Sequence, residues 1–497
     1  MKIGSPLLLL AALVVAVPAS AQEQVPEQLS LAQALEIARA SNPSFRASSN
    51  DARIADWNVR QAWGRLLPSA TATGTVGWQG TGEQQFGTVT LGDLGFGDQP
   101  SYYTSSYGLS LSYSLDWATI KGPAQAKADR RATGSQIGVA ESSLVTQVTN
   151  AYLETLRQQE AVRIAEAQLE NSQFNLRLAQ AQLEVGAVTG IDVGQAEVQV
   201  GRFEVQVLQS RNLLETARMR LLQQLGQPMG ADFELSTPFE LTEPTWDLED
   251  LRAMALDMNP SLELRRHTRE SADIGVSSAR SSYFPTMTIS TGWSGFTREA
   301  SSTDFQIAQA QRQIAGSIAQ CSAQNEIYSR LTPPLPPIDC ARFAFTDTQR
   351  EAIISQNDQF PFGFVRSPPS VRLVLSIPIF QGLSRQRNLE AARVQRDDAI
   401  EQLREQEIAL EADLAIGLAN ARTAYQSALL EERNRQLAEQ QLRLARERYQ
   451  LGEITFVDLV AAQTVLAQAE VDRIQAVFAY HDLVTNLEAL VGTSLRN

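Results

Sequence analysis

The sequence predicts a mainly α-helical protein with a small number of membrane β-strands, arranged as two tandem copies of one structural unit. The tripeptide Asn-Pro-Ser occurs at 42–44 and again at 259–261, each time after a run rich in Ala and Leu. A second proline, Pro68 or Pro285, follows 25 residues after the proline of each tripeptide. Long heptad repeats of Leu and Val then follow at the C-terminal end of each copy. Matched positions over such distances indicate an internal duplication, and the heptads indicate paired helices.

The second halves of the two copies align through their glycines. Gly186 and Gly226 are 40 residues apart, and so are Gly452 and Gly492. The offset between the copies is 266 residues here but 217 at the tripeptides, which leaves 49 residues as an insertion in the second copy.

The N-terminus has the pattern of a secretory signal. Lys2 precedes an apolar run at 6–17, and Ala19-Ser20-Ala21 supplies small residues for cleavage. Residues 1–21 are therefore predicted to be a signal peptide. The net charge of −14 argues against nucleic acid as a partner.

The first repeat is assigned to 22–246. Its predicted elements are a helix at 30–66, strands at 69–78 and 107–117, and a helical hairpin at 121–226. One face of the second strand carries Tyr107, Leu109, Leu111, Tyr113, Leu115 and Trp117. Eleven alternating residues with aromatic side chains at both ends fit a tilted strand that crosses a bilayer. A soluble sheet, half-buried on a core, is the alternative.

The second repeat is assigned to 247–497 and has the same order. Its predicted elements are a helix at 247–283, strands at 286–296 and 371–380, a helical hairpin at 383–492, and a long loop at 297–369 that contains the insertion. The heptad positions of the two hairpins are Val162, Leu169, Leu176, Leu183, Val193, Val200, Val207, Leu214, Leu221, Leu430, Leu437, Leu444 and Leu451. Leu442 and Tyr449 form a second stripe, which predicts a second neighbour for that helix, although a plain solvated coiled coil would also use heptads.

A physical constraint follows from the number of strands. Four strands cannot close a barrel, and lipid does not tolerate open strand edges. If the strands lie in a membrane, the chain must form an oligomer that shares one barrel. A helix over 121–186 would run roughly 100 Å, so the helices would continue from such a barrel as a long hollow tube.

This order of signal, helix, strands and long hairpin, all duplicated, resembles the TolC family of outer-membrane factors over essentially the whole mature chain. The motifs that carry the resemblance are the Asn-Pro-Ser segments, the proline before each first strand, and the hairpin sequences VGAVTGIDV and LGEITFVDL. The resemblance implies a homotrimer with a twelve-stranded barrel in the outer membrane and a continuous α-helical barrel across the periplasm. It also implies an exit duct of a tripartite efflux pump or type I secretion system, working with a periplasmic adaptor and an inner-membrane pump or ABC exporter. Substrate would pass without chemical change or cofactor.

The resemblance assigns roles to the two hairpin tips, at 186–193 and 452–459. The tips would dock the adaptor through residues that include Gly186, Thr189, Gly452 and Thr455. Glycine at these positions suits helices that must end and reverse.

The same resemblance places a periplasmic gate at Asp458, Asp192 and Tyr449. Three Asp458 carboxylates around one axis would attract cations and raise one another's apparent pKa. This chain departs from the family pattern at two positions, since Ala461 replaces a second acidic residue and Ile454 replaces an arginine. Helix capping by Asp192 and Asp458 is the structural alternative, and both roles are compatible.

The remaining candidates are single residues in the loop and the helices. Cys321 and Cys340 lie in the 297–369 loop, and an isolated pair in an exported protein predicts a disulfide. The loop would face the cell exterior and cover or narrow the outer mouth, or bind a partner there. His267 and His481 are far apart, with no metal-ligand spacing, and His481 is interpreted as a packing residue.

The sequence contains no pattern that predicts catalytic activity, so we do not expect an enzyme. The glycines of 91–100 open no helix and therefore fail as a phosphate-binding loop, so they are interpreted as an outer loop. The alternative function is a periplasmic coiled-coil adaptor or structural protein without a barrel. A passive porin would not need such long helices.

Overall fold

The structure is a computed structural model, and it describes residues 26–82, 85–90, 99–231, 233–237 and 239–496. The predicted signal peptide at 1–21 and most of the glycine-rich loop at 91–100 lie outside the described residues. The described part of the chain contains no helix long and apolar enough to cross a membrane.

The described residues are mainly helical. The helices are α1 Leu31–Ser41, α2 Pro43–Gly64, α3 Trp117–Glu184, α4 Gly190–Leu225, α5 Leu248–Met258, α6 Pro260–Arg280, α7 Asp304–Ser329, α8 Asp347–Asn357, α9 Ser384–Gln450 and α10 Phe456–Val491. The strands are β1 Gln28–Leu29, β2 Ser69–Gln79, β3 Gln85–Phe86, β4 Val89–Thr90, β5 Tyr102–Leu115, β6 Glu234–Leu235, β7 Thr286–Ala300, β8 Val365–Arg366 and β9 Ser370–Ser376.

The chain divides into two compact units. The helical unit comprises the described residues within 1–60, 124–276 and 390–497, and the strand unit comprises those within 61–123 and 277–389.

The Asn-Pro-Ser segment of the first repeat forms a joint between helices. Asn42 ends α1 with extended backbone, because the residue before a proline is disfavoured in helical conformation. Its side-chain oxygen accepts a hydrogen bond from the Phe45 N–H at 3.0 Å, and its amide donates to the Gln224 carbonyl at 2.8 Å. The predicted continuous helix at 30–66 is therefore wrong, since proline breaks it into two helices.

The second repeat contains the same joint, so 247–283 is likewise two helices and not one. Asn259 accepts from the Leu262 N–H at 2.8 Å and donates to the Leu490 carbonyl at 2.8 Å. In each copy a glycine with positive φ, Gly226 or Gly492, ends the neighbouring helix beside the joint. A Cβ at Gly226 would collide with the carbonyl of the residue before Asn42. The repeated tripeptide is thus a helix cap that also binds the end of another helix.

The apolar core of the helical unit lies near these joints. One cluster surrounds Tyr152, which is fully buried and donates its hydroxyl hydrogen to the Leu29 carbonyl at 2.8 Å. Strands β1 and β6 pair in parallel beside it. A second cluster surrounds Leu251 and Leu414 in the other repeat. Both joints are therefore held by buried side chains as well as by caps.

The strand unit contains one antiparallel sheet in the order β2-β5-β7, with β8 and β9 both on the far side of β7. The strands of the first copy, β2 and β5, are joined to those of the second copy by the pairing of β5 with β7. Four long strands thus lie side by side.

Four strand ends differ from the prediction by more than one residue. Strand β5 begins at Tyr102, five residues before the predicted start at 107. Strand β5 stops at Leu115, because Asp116 caps the next helix by accepting from the Thr119 N–H at 2.6 Å. Trp117 therefore begins a helix and does not belong to the strand. Strand β7 continues beyond 296 to Ala300, and β9 ends at Ser376, before Pro378, which has no N–H for a ladder.

The 297–369 segment is more ordered than the predicted loop. It contains the helices α7 and α8. A disulfide joins Cys321 to Cys340. The Asn357 amide exchanges two hydrogen bonds of 2.8 Å with the Ala300 backbone at the end of β7. These contacts fold the inserted segment back onto the strand that it follows.

Candidate functional site at the hairpin tips

The two tips of the helical hairpins share one backbone arrangement. Gly186 and Gly452 each have a φ of 74°, which glycine adopts without steric cost. The Gly186 N–H donates to Leu183 at 2.9 Å and the next N–H donates to Gln182 at 2.8 Å. The second tip repeats this pattern, with Gly452 donating to Tyr449 at 3.0 Å. Both long helices thus end in a motif that satisfies their last carbonyls.

The two candidate gate aspartates are capping residues. Thr189 donates from its backbone N–H and its hydroxyl to Asp192 Oδ2, both at 2.8 Å. Thr455 does the same to Asp458, at 2.9 and 2.7 Å. The hydrogen bonds from Thr189 and Thr455 lower the pKa of both carboxyl groups. Each aspartate is therefore held ionised at the positive end of a helix dipole.

Tyr449 lies inside the helical unit beneath the tips. It is 3% exposed and packs edge-on against Phe456, with ring centroids 5.9 Å apart. Burial raises its pKa, and the charge of Asp192 raises it further. The Tyr449 hydroxyl is buried without a hydrogen-bond partner among the described residues. The structure thus places Tyr449 within the electrostatic influence of Asp192 but shows no direct bond between them.

The tips pack together through a small apolar cluster. Its fully buried members are Ala179, Ala196, Leu442, Tyr449, Phe456, Leu459 and Ala462. Ile454, where the family resemblance would place an arginine, packs against this cluster. Arg448, six residues earlier, pairs with Glu453 at 3.2 Å on the surface of the second tip. Position 454 therefore makes an apolar contact in this chain.

A buried polar seam between α3 and α10 was not predicted. Asn175 donates to Gln463 at 3.1 Å, and both side chains are at least 96% buried. Gln168 donates to Glu470 at 3.2 Å, and burial raises the pKa of that carboxyl group. The recurrence of Gln168, Asn175 and Gln182 every seven residues is the sequence signal that identifies this seam. The heptad Leu residues next to them are instead half-buried or exposed in one chain.

The fold matches solved outer-membrane channels over nearly its full length. The CmeC outer membrane channel of Campylobacter jejuni superposes with a TM-score of 0.68 at 14% sequence identity, covering 94% of this chain and 87% of that one. The chain thus has the mainly helical fold of the TolC-like channels.

The sequence comparison then identifies the family. The model of the outer membrane efflux protein family matches residues 34–227 and 355–493, which include both hairpin tips. The chain belongs to this family, and it is an outer-membrane protein of a Gram-negative bacterium. Most of the inserted segment, including α7, lies outside the matched residues.

Two curated relatives agree with this assignment. The pyoverdine export outer membrane protein OpmQ of Pseudomonas aeruginosa is 27% identical over 208 residues, which is 41% of this chain and 44% of OpmQ. The probable efflux pump outer membrane protein TtgC of Pseudomonas putida is 24% identical over 270 residues, 52% of each chain. The chain thus spans about half the length of the curated relatives that it matches. These relatives are outer-membrane proteins, so the adaptor alternative is not favoured.

Proposed function

We propose that the chain is the outer-membrane exit duct of a tripartite efflux pump or type I secretion system. Substrate would cross the periplasm and the outer membrane inside it, without chemical change and without a cofactor. The observation that carries this proposal is the family match to both helical hairpins, tips included. The energy would come from an inner-membrane pump or ABC exporter, contacted through a periplasmic adaptor.

The lateral faces of the helical unit support a homo-oligomer. Within one chain, the hairpins meet through α3 and α10, at Asn175 and Gln463. Helices α4 and α9 keep exposed apolar stripes, which are Val198, Val205 and Leu208 on α4 and Leu430, Leu437 and Leu444 on α9. Two different faces of one chain that cover each other in successive copies generate a ring when the rotation between copies closes. The proposed ring is a homotrimer.

The sheet of the strand unit supports the same assembly. Among the described residues, β2 pairs only with β5, and β9 pairs only with β7. One edge of each is open, and lipid does not tolerate open edges. Three copies of four long strands would close a twelve-stranded barrel in the outer membrane, with the helices forming a barrel through the periplasm.

The tips are the proposed docking surface for the adaptor. Equivalent apolar side chains are exposed on the two tips, Val185 with Leu451 and Ile191 with Val457, and each is at least 59% exposed. Exposed apolar residues at matched positions fit a repeated contact with a partner. The backbone conformation of the two tips would be set by Gly186, Thr189, Gly452 and Thr455. These four residues would position the apolar side chains without contacting the adaptor themselves.

Docking is tested by Ile191→Asp with Val457→Asp. We expect the double variant to lose efflux in a Gram-negative host that lacks its own exit duct, while it still forms conducting channels in planar bilayers. Val198→Asp, on the lateral stripe, is the matched comparison and should weaken the oligomer instead. A double variant that exports normally would remove the tips as the docking surface, and a wild-type protein without conductance would overturn the duct itself.

The gate proposal assigns ion selectivity to Asp458, with Asp192 and Tyr449 beside it. Since its carboxyl group is held ionised, a ring of three would favour cations over anions. We expect Asp458→Asn to reduce the cation-to-anion permeability ratio severalfold, measured from reversal potentials in a salt gradient. Asp247→Asn, which changes an aspartate at the start of α5 outside the proposed gate, serves as control. Equal permeability ratios for wild type and Asp458→Asn would remove Asp458 from the gate.

A further inference from the structure

The four long strands of the sheet present two chemically different faces. Residues that pair directly on neighbouring strands share a face, and successive residues of one strand alternate between the faces. The apolar face carries, among others, Trp78, Leu109, Leu111, Trp293, Leu373 and Leu375. The opposite face, here called the hydroxyl face, is built mainly from Ser, Thr and Gly. In the barrel proposed above, the apolar face would meet lipid and the hydroxyl face would line the lumen.

Arg372 lies on the hydroxyl face, at the end of a row of serines. It pairs with Ser290 on β7, which pairs with Ser112 on β5. Ser112 in turn pairs with Ser69 on β2, and the hydroxyl oxygens of these two residues are 2.8 Å apart. One row across the sheet thus combines three hydroxyl groups, each able to donate a hydrogen bond, with one guanidinium group.

The positive charge of Arg372 is not compensated within the sheet. Its side chain is exposed, and no ion pair or hydrogen bond joins it to another described residue. The four long strands are all described, and their only carboxylate is that of Glu299, which pairs with Tyr103 on the apolar face. The second guanidinium on the hydroxyl face is that of Arg298, which lies over the ring of Tyr102, 3.4 Å from its centroid. The hydroxyl face of these strands therefore carries positive charge only.

An arginine in this part of the sheet requires contact with water. On a lipid-facing position, an arginine costs about 2–4 kcal/mol at the bilayer midplane. Strand β9 avoids this cost, because its alternation directs Val371, Leu373 and Leu375 to the apolar face and Arg372 to the other. The guanidinium would thus lie on the lumen side of a closed barrel.

We propose that three Arg372 side chains, one from each copy of the chain, form a positively charged ring inside the barrel that attracts small anions. This ring rests on the duct and the homotrimer proposed above. Symmetry places the three guanidinium groups at one height, each beside a row of serine hydroxyls that can donate to an anion. Rings of arginine make a pore selective for anions. The charge effect of Arg372 on permeation is therefore opposite in sign to the effect proposed for Asp458, and anionic substrates depend on it.

The test is the cation-to-anion permeability ratio of the full-length protein in planar bilayers, measured from reversal potentials in a KCl gradient. Low salt is used, because the Debye length rises to about 30 Å at 0.01 M. Arg372→Gln should raise the ratio about twofold or more, since it removes the ring. Arg372→Lys keeps the charge and should keep the wild-type ratio. Arg366→Gln is the matched control, because Arg366 pairs with Gly295 on the apolar face, and its ratio should equal that of wild type.

Ser290→Asp tests the same ring without removing Arg372. It places a carboxylate opposite the guanidinium and cancels its charge, so the ratio should rise as in Arg372→Gln. Equal ratios for wild type, Arg372→Gln and Ser290→Asp would overturn the ring but leave the conducting duct in place. An equal rise in Arg366→Gln and Arg372→Gln would also overturn it, because charge on either face would then have the same effect. A wild-type protein without conductance would instead overturn the duct, and the ring with it.

Discussion

The two repeats agree at their joints and in the backbone of their tips, but they differ in one buried side chain at the tips. Asn42 and Asn259 make the same pair of hydrogen bonds, and Gly226 and Gly492 end the adjoining helices in the same conformation. At the tips, Phe456 is buried in the apolar cluster, whereas the equivalent position 190 is an exposed glycine. The joint therefore carries the architecture that both copies need, while the tips have diverged.

The largest expected effect comes from the divergent tip position. Phe456→Ala should destabilise the second tip by about 3 kcal/mol, because a buried aromatic side chain is removed. Gly190→Ala, the equivalent change, should be nearly neutral, since a Cβ there meets nothing within 4 Å. Hydrogen exchange at the two tips measures both effects. Equal protection losses at both tips would show that the tips have not diverged energetically.

A methyl group added at the joint glycine should destabilise the fold equally in the two repeats. Gly226→Ala and Gly492→Ala should each cost about 2–3 kcal/mol, because alanine is strained at positive φ and would contact a backbone carbonyl. Gly201→Ala, inside α4 with open space around it, is the control and should be neutral or stabilising. Thermal unfolding followed by circular dichroism distinguishes them. A large loss of stability at only one joint would show that the two joints are not equivalent.

A smaller effect is expected from the caps themselves. Asn42→Ala and Asn259→Ala each remove a helix cap and a hydrogen bond to another helix, so a loss of about 1–2 kcal/mol is expected for each. Urea unfolding of the two variants, side by side, tests whether the losses match. Asn388→Ala, on α9, is the control, because Asn388 neither caps a helix nor binds the end of another one. An equally large loss of stability in this control would argue against a special role of the two joint asparagines.

The smallest effect concerns an ion pair within each hairpin. Glu432 and Glu166 are equivalent, but only Glu432 binds a second arginine. Hydrogen bonding by Arg435, with support from Gln436 and Arg473, lowers the pKa of Glu432 to about 2. The side chain is about one-third exposed, so solvent screening limits its contribution to below about 1 kcal/mol.

This contribution has a defined pH window. A carboxyl group whose pKa is lower in the folded state stabilises the fold above its unfolded value of 4.5, and the stabilisation is lost as the pH falls toward 2. Glu432→Gln should therefore lower the melting temperature at pH 7 more than at pH 3. Glu166→Gln should show the weaker loss at pH 7. A Glu432→Gln effect that does not change with pH would exclude the ionised pair as its cause.

The sequence predicts the repeats and tips better than it predicts element boundaries and buried polar contacts. Spacing alone locates Gly186 and Gly452, because a chain that reverses between two helices needs such residues. Composition does not reveal the break at Asn42, although Pro43 signals it, since helical composition on both sides favours one helix. The alternation of apolar residues predicts that Trp117 belongs to a strand, because it continues past Asp116, whereas a cap depends on the geometry of the following turn. The Asn175–Gln463 contact joins residues far apart in sequence, which periodicity in one helix cannot pair.

The nearly equal lengths of the two long helices have a practical consequence. Helix α3 has 68 residues and α9 has 67, although the repeats differ by a large insertion. Since the tips of both hairpins meet in one apolar cluster, the reach of one hairpin has to equal that of the other. Removing one heptad from a single hairpin would bring its tip about 10 Å short of its neighbour. Removing matched heptads from all four hairpin helices would instead give a shorter molecule with its contacts in register, so the span of this protein is adjustable in fixed steps.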